Sequence, residues 1–405
     1  MSESKPSNCL ELLQGMVRID SINATISQRP HPEAELAAYL ERQATSWGLS
    51  ARRLPVGDAY AGDVAAASPE GSFDLLVCCE VSPAAPWLLF ESHLDTVGVE
   101  GMTVDPFGAR VEGGRIYGRG ACDTKGSGAA MLWALQQYAR QGAGRNNIAL
   151  LYAVDEEALK HGVEGFVQQH LSTLGWRPAG AIVGEPTELQ PVVAHNGVVR
   201  WSVRTHGLAA HSSDPSKGRS AISLMVRVIQ TLENDYIACL SASHPLVGPA
   251  RCSINLIRGG TAINIIPDLC EISVDRRVVP GEDPHQVLPE VRRVLEALRA
   301  GMPSLVYSLS DPFIDAPLDP AGGEAFFAPV QRTLASLGLP IELKGVPNGT
   351  DGSTQGAAGI PVVVLGPGHI ARAHTVGEYL ELDQLDRAIG IYRALMDMPV
   401  PASRG

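Results

Sequence analysis

The 405-residue chain lacks several features that mark specialised classes of protein. It has no run of eighteen apolar residues, so no segment is predicted to span a membrane. Its N-terminus has neither the basic nor the apolar region of a signal peptide. CxxC spacing is also missing, and the seven cysteines are odd in number and scattered. Together these absences predict reduced thiols and a cytoplasmic location.

An excess of positive charge is missing as well. Lys and Arg number 32 against 44 Asp and Glu, which gives a net charge of −12. This balance argues against nucleic acid and anionic membrane surfaces as partners, because both require a basic face. The composition, with 45% hydrophobic and 19% charged residues, is typical of a soluble globular protein. The length exceeds that of one ordinary core and predicts two domains.

The first part of the chain has the pattern of an α/β domain. Near-continuous apolar runs are typical of strands that are covered on both faces in a largely parallel sheet. Helical periodicity occurs between them, with Pro or Ser at the start and Gly at the end. The predicted strands are 73–81, 86–95, 147–157 and 179–187, and the predicted helices are 32–48 and 127–142.

The pattern changes near residue 194. Alternating strands and two helices follow in the order β-α-β-β-α-β, which is the ferredoxin-like split βαβ arrangement. After residue 313 the first pattern resumes, with a helix, a buried strand and a final amphipathic helix over 381–397. The sequence therefore predicts an α/β domain with a mixed, mainly parallel sheet, interrupted by an inserted α+β domain. The predicted boundaries are 1–193, 194–313 and 314–405.

Acidic side chains and histidines follow the apolar strands of the α/β part. In "LLFESHLDTV" the strand ends in His93 and Asp95, which point the same way because strand side chains alternate. In open α/β sheets, sites form at the carboxyl ends of the strands. Residues distant in sequence are therefore expected to meet there, namely His93, Asp123, Glu156, Glu157, Glu185 and His374.

Four carboxylates in one crevice repel one another unless cations neutralise them. Two histidines with carboxylates suit Zn²⁺, whereas Ca²⁺ takes only oxygen ligands. Two ions that share one carboxylate form a dinuclear hydrolytic site. Because the carboxylates outnumber those that the metals need, one remains available as a general base.

Each residue taken singly has a simpler interpretation. His93 and Asp95 fit a salt bridge at the end of a strand, and a lone histidine is more often structural than a ligand. Glu156 and Glu157 fit a solvated helix N-terminus, and Asp123 fits a helix N-cap. The joint occurrence of these residues, always after an apolar strand, is what favours a metal site over unconnected surface groups.

The motifs resemble those of a known family. "SHLDTV", "YGRGACDTKGS", "VDEE", "VGEPT" and "AHTVGEYL" are similar to the signatures of the dinuclear zinc amidohydrolases, from about residue 86 to the C-terminus. This group includes acetylornithine deacetylase, succinyl-diaminopimelate desuccinylase, aminoacylase and glutamate carboxypeptidase. The deacetylase branch is the most similar, through "VDRRVVPGED" and "VVVLGPGHIARAHTVGEYL".

The resemblance implies a role for each matching residue of the catalytic domain. Glu156 is the general base, and Asp95 orients His93. The peptide bond that follows Asp123 is expected to be cis. The implied metal ligands are His93 and Glu185 on one zinc ion, Glu157 and His374 on the other, and Asp123 between them.

The inserted domain mediates dimerisation in this family, so the resemblance implies a homodimer. His211 in "THGLAAHSSDP" matches a histidine that reaches a neighbouring active site and stabilises the transition state. Asn264 and Arg277 match substrate-binding residues, and Thr350 and Asp351 match a loop that faces the substrate. From the sequence alone, Arg277 fits a salt bridge with Asp275 equally well.

The activity that follows is hydrolysis of the amide bond of an N-acyl amino acid, as in acetylornithine deacetylase, by water activated by two zinc ions. Co²⁺ or Mn²⁺ are alternative metals. An exopeptidase of the glutamate carboxypeptidase type is an alternative activity that shares the metal site. A non-hydrolytic metal-binding homologue is a further alternative, although such a protein has no need of the free base Glu156.

Overall fold

The computed structural model describes residues 5–56 and 71–400. Residues 1–4, at the start of the segment in which no signal peptide is predicted, lie outside the described residues. The chain forms two compact units. The first comprises Met1–Val193, Pro320–Lys344 and Thr350–Gly405, and the second comprises Ala194–Asp319 and Gly345–Gly349. Among the described residues, no helix is long and apolar enough to cross a membrane.

The helices predicted over 32–48, 127–142 and 381–397 are present as Ala34–Ser46, Lys125–Gln141 and Leu382–Met396. Most of the chain's helices are amphipathic and present their apolar side chains to a core. In chain order they are α1 Cys9–Val17, α2 Ala24–Ser27, α3 Ala34–Ser46, α4 Lys125–Gln141, α5 His161–Gly165, α6 Ala221–Thr231, α7 Val287–Gly301, α8 Glu324–Ser336, α9 Gly352–Ala357 and α10 Leu382–Met396.

The strands fall into two larger sheets and several short ribbons. In chain order they are β1 Ser50–Pro55, β2 Phe73–Cys79, β3 Trp87–His93, β4 Arg110–Glu112, β5 Arg115–Tyr117, β6 Asn147–Ala153, β7 Pro178–Val183, β8 Val192–His195, β9 Gly197–His206, β10 Ala210–His211, β11 Ser243–His244, β12 Gly248–Pro249, β13 Arg251–Gly259, β14 Ile265–Ile266, β15 Leu269–Val278, β16 Tyr307–Leu309, β17 Phe313–Asp315, β18 Lys344–Val346, β19 Val362–Val364 and β20 Tyr379–Glu381.

The first unit is built on an eight-stranded sheet in the order β1-β2-β6-β3-β7-β19-β8-β18. Its central strands β6, β3, β7 and β19 run parallel to one another. Every residue of β6 is buried, as the apolar run predicts. Helix α4 packs against β3 and β6 and also contacts α1 and α10. Because the central strands are parallel, their carboxyl ends lie at one edge of the sheet.

The predicted mixed α/β architecture is confirmed, and the strand directions refine it. β1 pairs antiparallel with β2, β2 with β6, and β19 with β8. The parallel arrangement is therefore confined to the centre of the sheet. An apolar run predicts burial on both faces but contains no information on strand direction, so the sequence predicted a mixed sheet without indicating which strands are antiparallel.

The second unit has the predicted β-α-β-β-α-β order, formed by β9, α6, β13, β15, α7 and β16. Its antiparallel sheet has the order β13-β15-β9-β16, and β17 also pairs with β9. Helices α6 and α7 supply apolar side chains to a core that includes Trp201, Met225, Ile272 and Leu295. The first helical segment of this unit consists of α6 followed by a π-helical turn and a 3-10 turn that ends at Cys239.

A buried amide fixes the connection between β2 and β3. The Asn147 side chain, at the start of β6, is fully buried. Its Oδ1 accepts hydrogen bonds from the backbone N–H groups of Val81 and Ser82, at 2.8 and 3.1 Å. Its Nδ2 donates to the carbonyl oxygens of Ser82 and Ala85, at 2.8 and 3.0 Å. The amide thus satisfies four backbone groups that the tight turn leaves without strand partners.

Replacing Asn147 by Asp is expected to destabilise the first unit by about 3 kcal/mol, because two backbone carbonyls lose their donor and face a buried carboxylate. The measurement is the midpoint of urea denaturation. Asn234→Asp, at an exposed position, is the matched control and is expected to leave the midpoint unchanged. Equal midpoints for the two variants would contradict this account of the turn.

Candidate active site

One group of possible metal ligands contains His93, Asp123 and Glu185, whose ligand atoms all lie within 4.8 Å of one another. His93 Nε2 lies 3.1 Å from Asp123 Oδ1 and 3.9 Å from Glu185 Oε1. All three residues are buried. His93 is the last residue of β3, and Glu185 follows β7, so neighbouring parallel strands bring them together.

A second group contains Asp123, Glu157 and His374. His374 Nε2 lies 3.0 Å from Glu157 Oε1 and 3.3 Å from Asp123 Oδ2. Asp123 therefore directs one carboxylate oxygen to each histidine. It lies in the loop before α4, where its peptide bond to Thr124 is cis, which confirms the expectation. Glu157 follows β6, and His374 follows the 3-10 turn Ile370–Arg372.

The donor atoms fit metal ions in both groups. Two atoms that each lie about 2.1 Å from a tetrahedral ion are about 3.4 Å apart. The separations of His93 and His374 from the Asp123 oxygens, 3.1 and 3.3 Å, are close to that value. Imidazole nitrogens with carboxylate oxygens are ligands that Zn²⁺ accepts. One carboxylate shared by two groups is the pattern of a dinuclear site.

The electrostatics of the groups also favour cations. Hydrogen bonds to Asp123 and Glu157 raise the pKa of His374 to about 10. Burial opposes ionisation of Asp123, but the hydrogen bonds from His374 and His93 hold its pKa well below the usual range. Burial and the charge of Asp123 raise the pKa of Glu185. Without metal ions, the carboxylates thus keep the imidazoles protonated and positively charged. Metal ions bound in place of these protons would supply the same positive charge.

Glu156 lies beside these groups but belongs to neither of them. Burial raises the pKa of its carboxyl group to about 8, and the nearby charges of Lys160 and His93 oppose that increase. Lys160 is itself held by a hydrogen bond from its Nζ to the carbonyl of Thr350, at 2.8 Å. The predicted base is therefore a half-buried carboxylate within electrostatic reach of His93, the histidine of the first group.

Asp95 contacts more than the histidine that it is predicted to orient. His93 Nδ1 lies 3.0 Å from the backbone oxygen of Asp95 and 3.5 Å from its Oδ1. The two carboxylate oxygens also accept the backbone N–H groups of Glu156 and Glu157, each at 3.0 Å. Burial would raise the pKa of Asp95, but His93 and these donors lower it. Asp95 thus connects the histidine to the turn that contains both glutamates.

The predicted substrate-facing residues Thr350 and Asp351 are buried in the first unit, immediately before α9. Neither carboxylate oxygen of Asp351 has a hydrogen-bond partner among the described residues. Burial and the charges of Glu91 and Glu156 raise the pKa of Asp351. The loop therefore places an acidic group within electrostatic reach of Glu156.

The other predicted residues lie in the second unit. His211 is exposed at the end of β10, and its Nδ1 is 2.7 Å from Ser213 Oγ. Asn264 is exposed in the turn before β14. Arg277 Nε donates to Asp275 Oδ1 at 2.8 Å on β15. The salt bridge that the sequence left open for Arg277 is thus present.

Two supporting residues near Asp123 were not predicted. Glu378 is buried, and its Oε1 accepts the backbone N–H groups of Cys122 and Asp123, at 2.9 and 3.1 Å. Its Oε2 accepts from Arg119 Nη1 at 2.6 Å. Glu378 lies within "AHTVGEYL" and Arg119 within "YGRGACDTKGS", so the motifs contained both residues, but nothing in the spacing indicated that they pair.

Comparisons with known proteins agree with the resemblance. Residues 89–398 match peptidase family M20/M25/M40. The chain is 30% identical to an acetylornithine deacetylase of Proteus mirabilis (strain HI4320) over 383 residues, 92% of each chain. It is 31% identical to an acetylornithine deacetylase of Myxococcus xanthus over 303 residues, 74% of this chain and 77% of the relative.

Solved structures share the fold. An M20 family metallo-carboxypeptidase from Sulfolobus solfataricus superposes with a TM-score of 0.75 at 19% identity, covering 97% of this chain and 99% of the other. A dinuclear metal binding peptidase of the same family from Bacillus subtilis gives a TM-score of 0.69 at 16% identity, with 96% of both chains covered. The predicted class, a metal-dependent amidohydrolase, is confirmed. Because the family match covers most of the chain, it shows that this chain belongs to peptidase family M20/M25/M40.

Proposed function

We propose that the protein hydrolyses the amide bond of an N-acyl amino acid, with Glu156 as general base. The observation that supports this proposal most directly is the half-buried carboxylate of Glu156, which lies beside two groups of candidate metal ligands and belongs to neither. A protein that only binds metal ions does not need such a base. A deacylase is preferred over a carboxypeptidase, because the relatives at 30% and 31% identity are acetylornithine deacetylases. The carboxypeptidase shares the fold at 19% identity.

The ligands assigned to the metals are His93 and Glu185 on one ion and Glu157 and His374 on the other, with Asp123 between them. We propose zinc for both ions, because the mixed nitrogen and oxygen donors suit it. Bound metal ions lower the pKa of water and polarise a carbonyl group. Asp95 maintains the orientation of His93 and fixes the backbone of both glutamates through its hydrogen bonds.

Glu156 transfers the proton in this reaction. Its carboxylate removes a proton from the attacking water as the C–O bond forms, and it returns that proton to the nitrogen as the C–N bond breaks. The products are a carboxylic acid and the free amino acid. Asp351, with Thr350, is assigned to the substrate side of the same crevice. Arg277 and Asn264 of the second unit are assigned to substrate binding, as the resemblance implies.

The second unit offers a surface for a homodimer. Within the described residues, β13 pairs only with β15 and leaves its other edge open. Leu256 and Ile257 on this strand are 54% and 58% exposed. Ile222 on α6 lies against Gly259 at the end of β13, so helix and strand form one apolar surface. An open, apolar strand edge is a site for pairing with another chain.

We assign this surface to contact between two copies of the chain, in which His211 acts in the partner's active site as a donor to the developing oxyanion. We also propose a cytoplasmic location, because all seven cysteines are unpaired thiols.

Glu156→Gln is expected to lower kcat by about 10²- to 10⁴-fold, because the amide cannot accept the proton of water. The measurement is amine release from a panel of N-acetyl amino acids, with metal content determined on the same sample. Metal content is expected to stay at the wild-type value. Glu80→Gln is the control, because Glu80 is exposed and follows Cys79, which pairs with Ile148 at the end of β6 opposite to Glu156. Near-normal turnover of Glu156→Gln would refute the assignment of the base.

His93→Ala is expected to remove one of two zinc ions per chain, because the first group loses its only nitrogen ligand. Elemental analysis after zinc reconstitution of chelated protein measures this change. His206→Ala changes an exposed histidine of the second unit and is expected to retain both ions. A wild-type protein that binds one zinc ion, or none, would contradict the dinuclear assignment.

Ile257→Asp is expected to convert the dimer to a monomer, since it places a charge in the apolar surface, and to abolish activity through the loss of the partner's His211. Light scattering coupled to size-exclusion chromatography gives the mass. The control is Val111→Asp, which alters an exposed apolar strand residue of the first unit. A monomeric wild type, or an active monomeric variant, would contradict this proposal.

A further inference from the structure

We propose that Asn23 is a positioning residue for the reaction, although it lies well before residue 89, where the family match begins. It acts through Asp95 on the turn that contains Glu156 and Glu157. The inference rests on the proposed function, because it concerns the same base and the same metal ligand.

The contacts of Asn23 are directed to the acidic part of the site. Its side chain is fully buried. Its Nδ2 donates one hydrogen bond to Asp95 Oδ2 and another to Asp155 Oδ1, both at 2.8 Å. A primary amide has two N–H donors, so both are used on carboxylates. The single amide thus lies between two buried acids and donates to both of them.

Asp95 and Asp155 both support the turn that follows β6, and they do so at neighbouring residues of that turn. Asp95 accepts the backbone N–H groups of Glu156 and Glu157. Asp155 directly precedes them and has a left-handed backbone, with φ at +67°. Its second oxygen, Oδ2, lies 2.6 Å from His161 Nδ1. A non-glycine residue keeps such a backbone only when its surroundings hold it there. The Asn23 amide is one of the groups that do so.

The remaining contacts of Asn23 explain why it can act as a rigid support. Its Oδ1 accepts the backbone N–H of Thr25 at 2.8 Å and thereby caps α2. Its own backbone N–H donates to the carbonyl of Thr96 at 2.9 Å, immediately after Asp95. Both its side chain and its backbone therefore connect the N-terminal segment to the end of β3. An amide held in this way fixes the direction of its two N–H groups.

The position requires both an acceptor and two donors, and this requirement gives a specific test. Asn23→Asp has the same shape and keeps the helix-capping oxygen, but it removes both donors. Asn8 caps α1 in the same way, with its Oδ1 accepting the backbone N–H of Glu11 at 2.9 Å. Asn8 is exposed, and its Nδ2 donates to Ser7 and Glu11 rather than to Asp95 or Asp155. Asn8→Asp is therefore the matched control.

The experiment compares the zinc-loaded wild type, Asn23→Asp and Asn8→Asp. Amine release gives kcat and KM, elemental analysis gives metal content, and hydrogen–deuterium exchange reports on a peptide that covers residues 154–160. For Asn23→Asp we expect kcat to fall about 10- to 100-fold, the usual effect of losing a group that orients a metal site. KM is expected to stay within about twofold of wild type, and both ions are expected to remain. Exchange in the peptide is expected to accelerate relative to Asn8→Asp.

A double variant separates positioning from a purely structural role. In Asn23→Asp with Asp155→Asn the amide and one carboxylate change places, so the repulsion between positions 23 and 155 is relieved and the melting temperature is expected to recover in part. Asp95 still lacks the side-chain donor of Asn23 and faces a carboxylate in its place, so kcat is expected to stay low. Recovery of kcat together with the melting temperature would overturn the proposal. If Asn23→Asp does not fold, Asn23→Ser replaces it with the same expectations, since its hydroxyl can cap the helix but can donate only once.

Equal kcat values for Asn23→Asp and Asn8→Asp would also overturn the proposal. A wild type that releases no amine from any substrate would refute the proposed function instead. In that case the exchange experiment still tests the positioning role, since it needs no turnover. Unchanged exchange in residues 154–160 would then overturn it.

Discussion

The concentration of negative charge at one edge of a parallel sheet is the constraint on which the rest of the site depends. Asp123 provides an oxygen for each of two histidines, while Glu157 and Glu185 lie beside it. Asp123 and Glu185 are buried and Glu157 is half-buried, and acids of like charge in such surroundings do not remain ionised together without cations. The surrounding structure can be understood as a set of donors that keep the acids in place. Arg119 and two backbone N–H groups serve Glu378, and Asn23 serves Asp95.

Most of the site was predictable, because its residues occupy one kind of place in the sequence. His93, Glu157 and Glu185 each follow an apolar strand, and the carboxyl ends of parallel strands meet. The order of elements in the second unit was predictable for a similar reason, since alternation and helical periodicity are local signals. Neither signal specifies strand direction at the sheet margins, so the antiparallel pairing of β2 with β6 emerges only from the structure.

The supporting contacts were not predictable, because they join residues that no local pattern relates. Asn23 meets Asp95 and Asp155 although the three lie in separate parts of the chain. Its place before a four-residue helix predicts only an N-cap. Glu378 was visible within a motif, but its partner Arg119 lies far away in sequence. Sequence patterns thus indicated the groups proposed to ligate or react, whereas the groups that hold them in place could be identified only from the tertiary structure.

The separation of the ligands along the chain has a consequence for synthesis. The first unit is discontinuous, and the second unit is encoded between Val193 and Pro320. A ribosome therefore delivers His93, Asp123, Glu157 and Glu185 long before His374. Until the last segment emerges, the nascent chain holds a cluster of acids with one histidine. Completion of the second group of candidate ligands, and any folding free energy that an ion bound there would contribute, is thus a late event in the synthesis of each molecule.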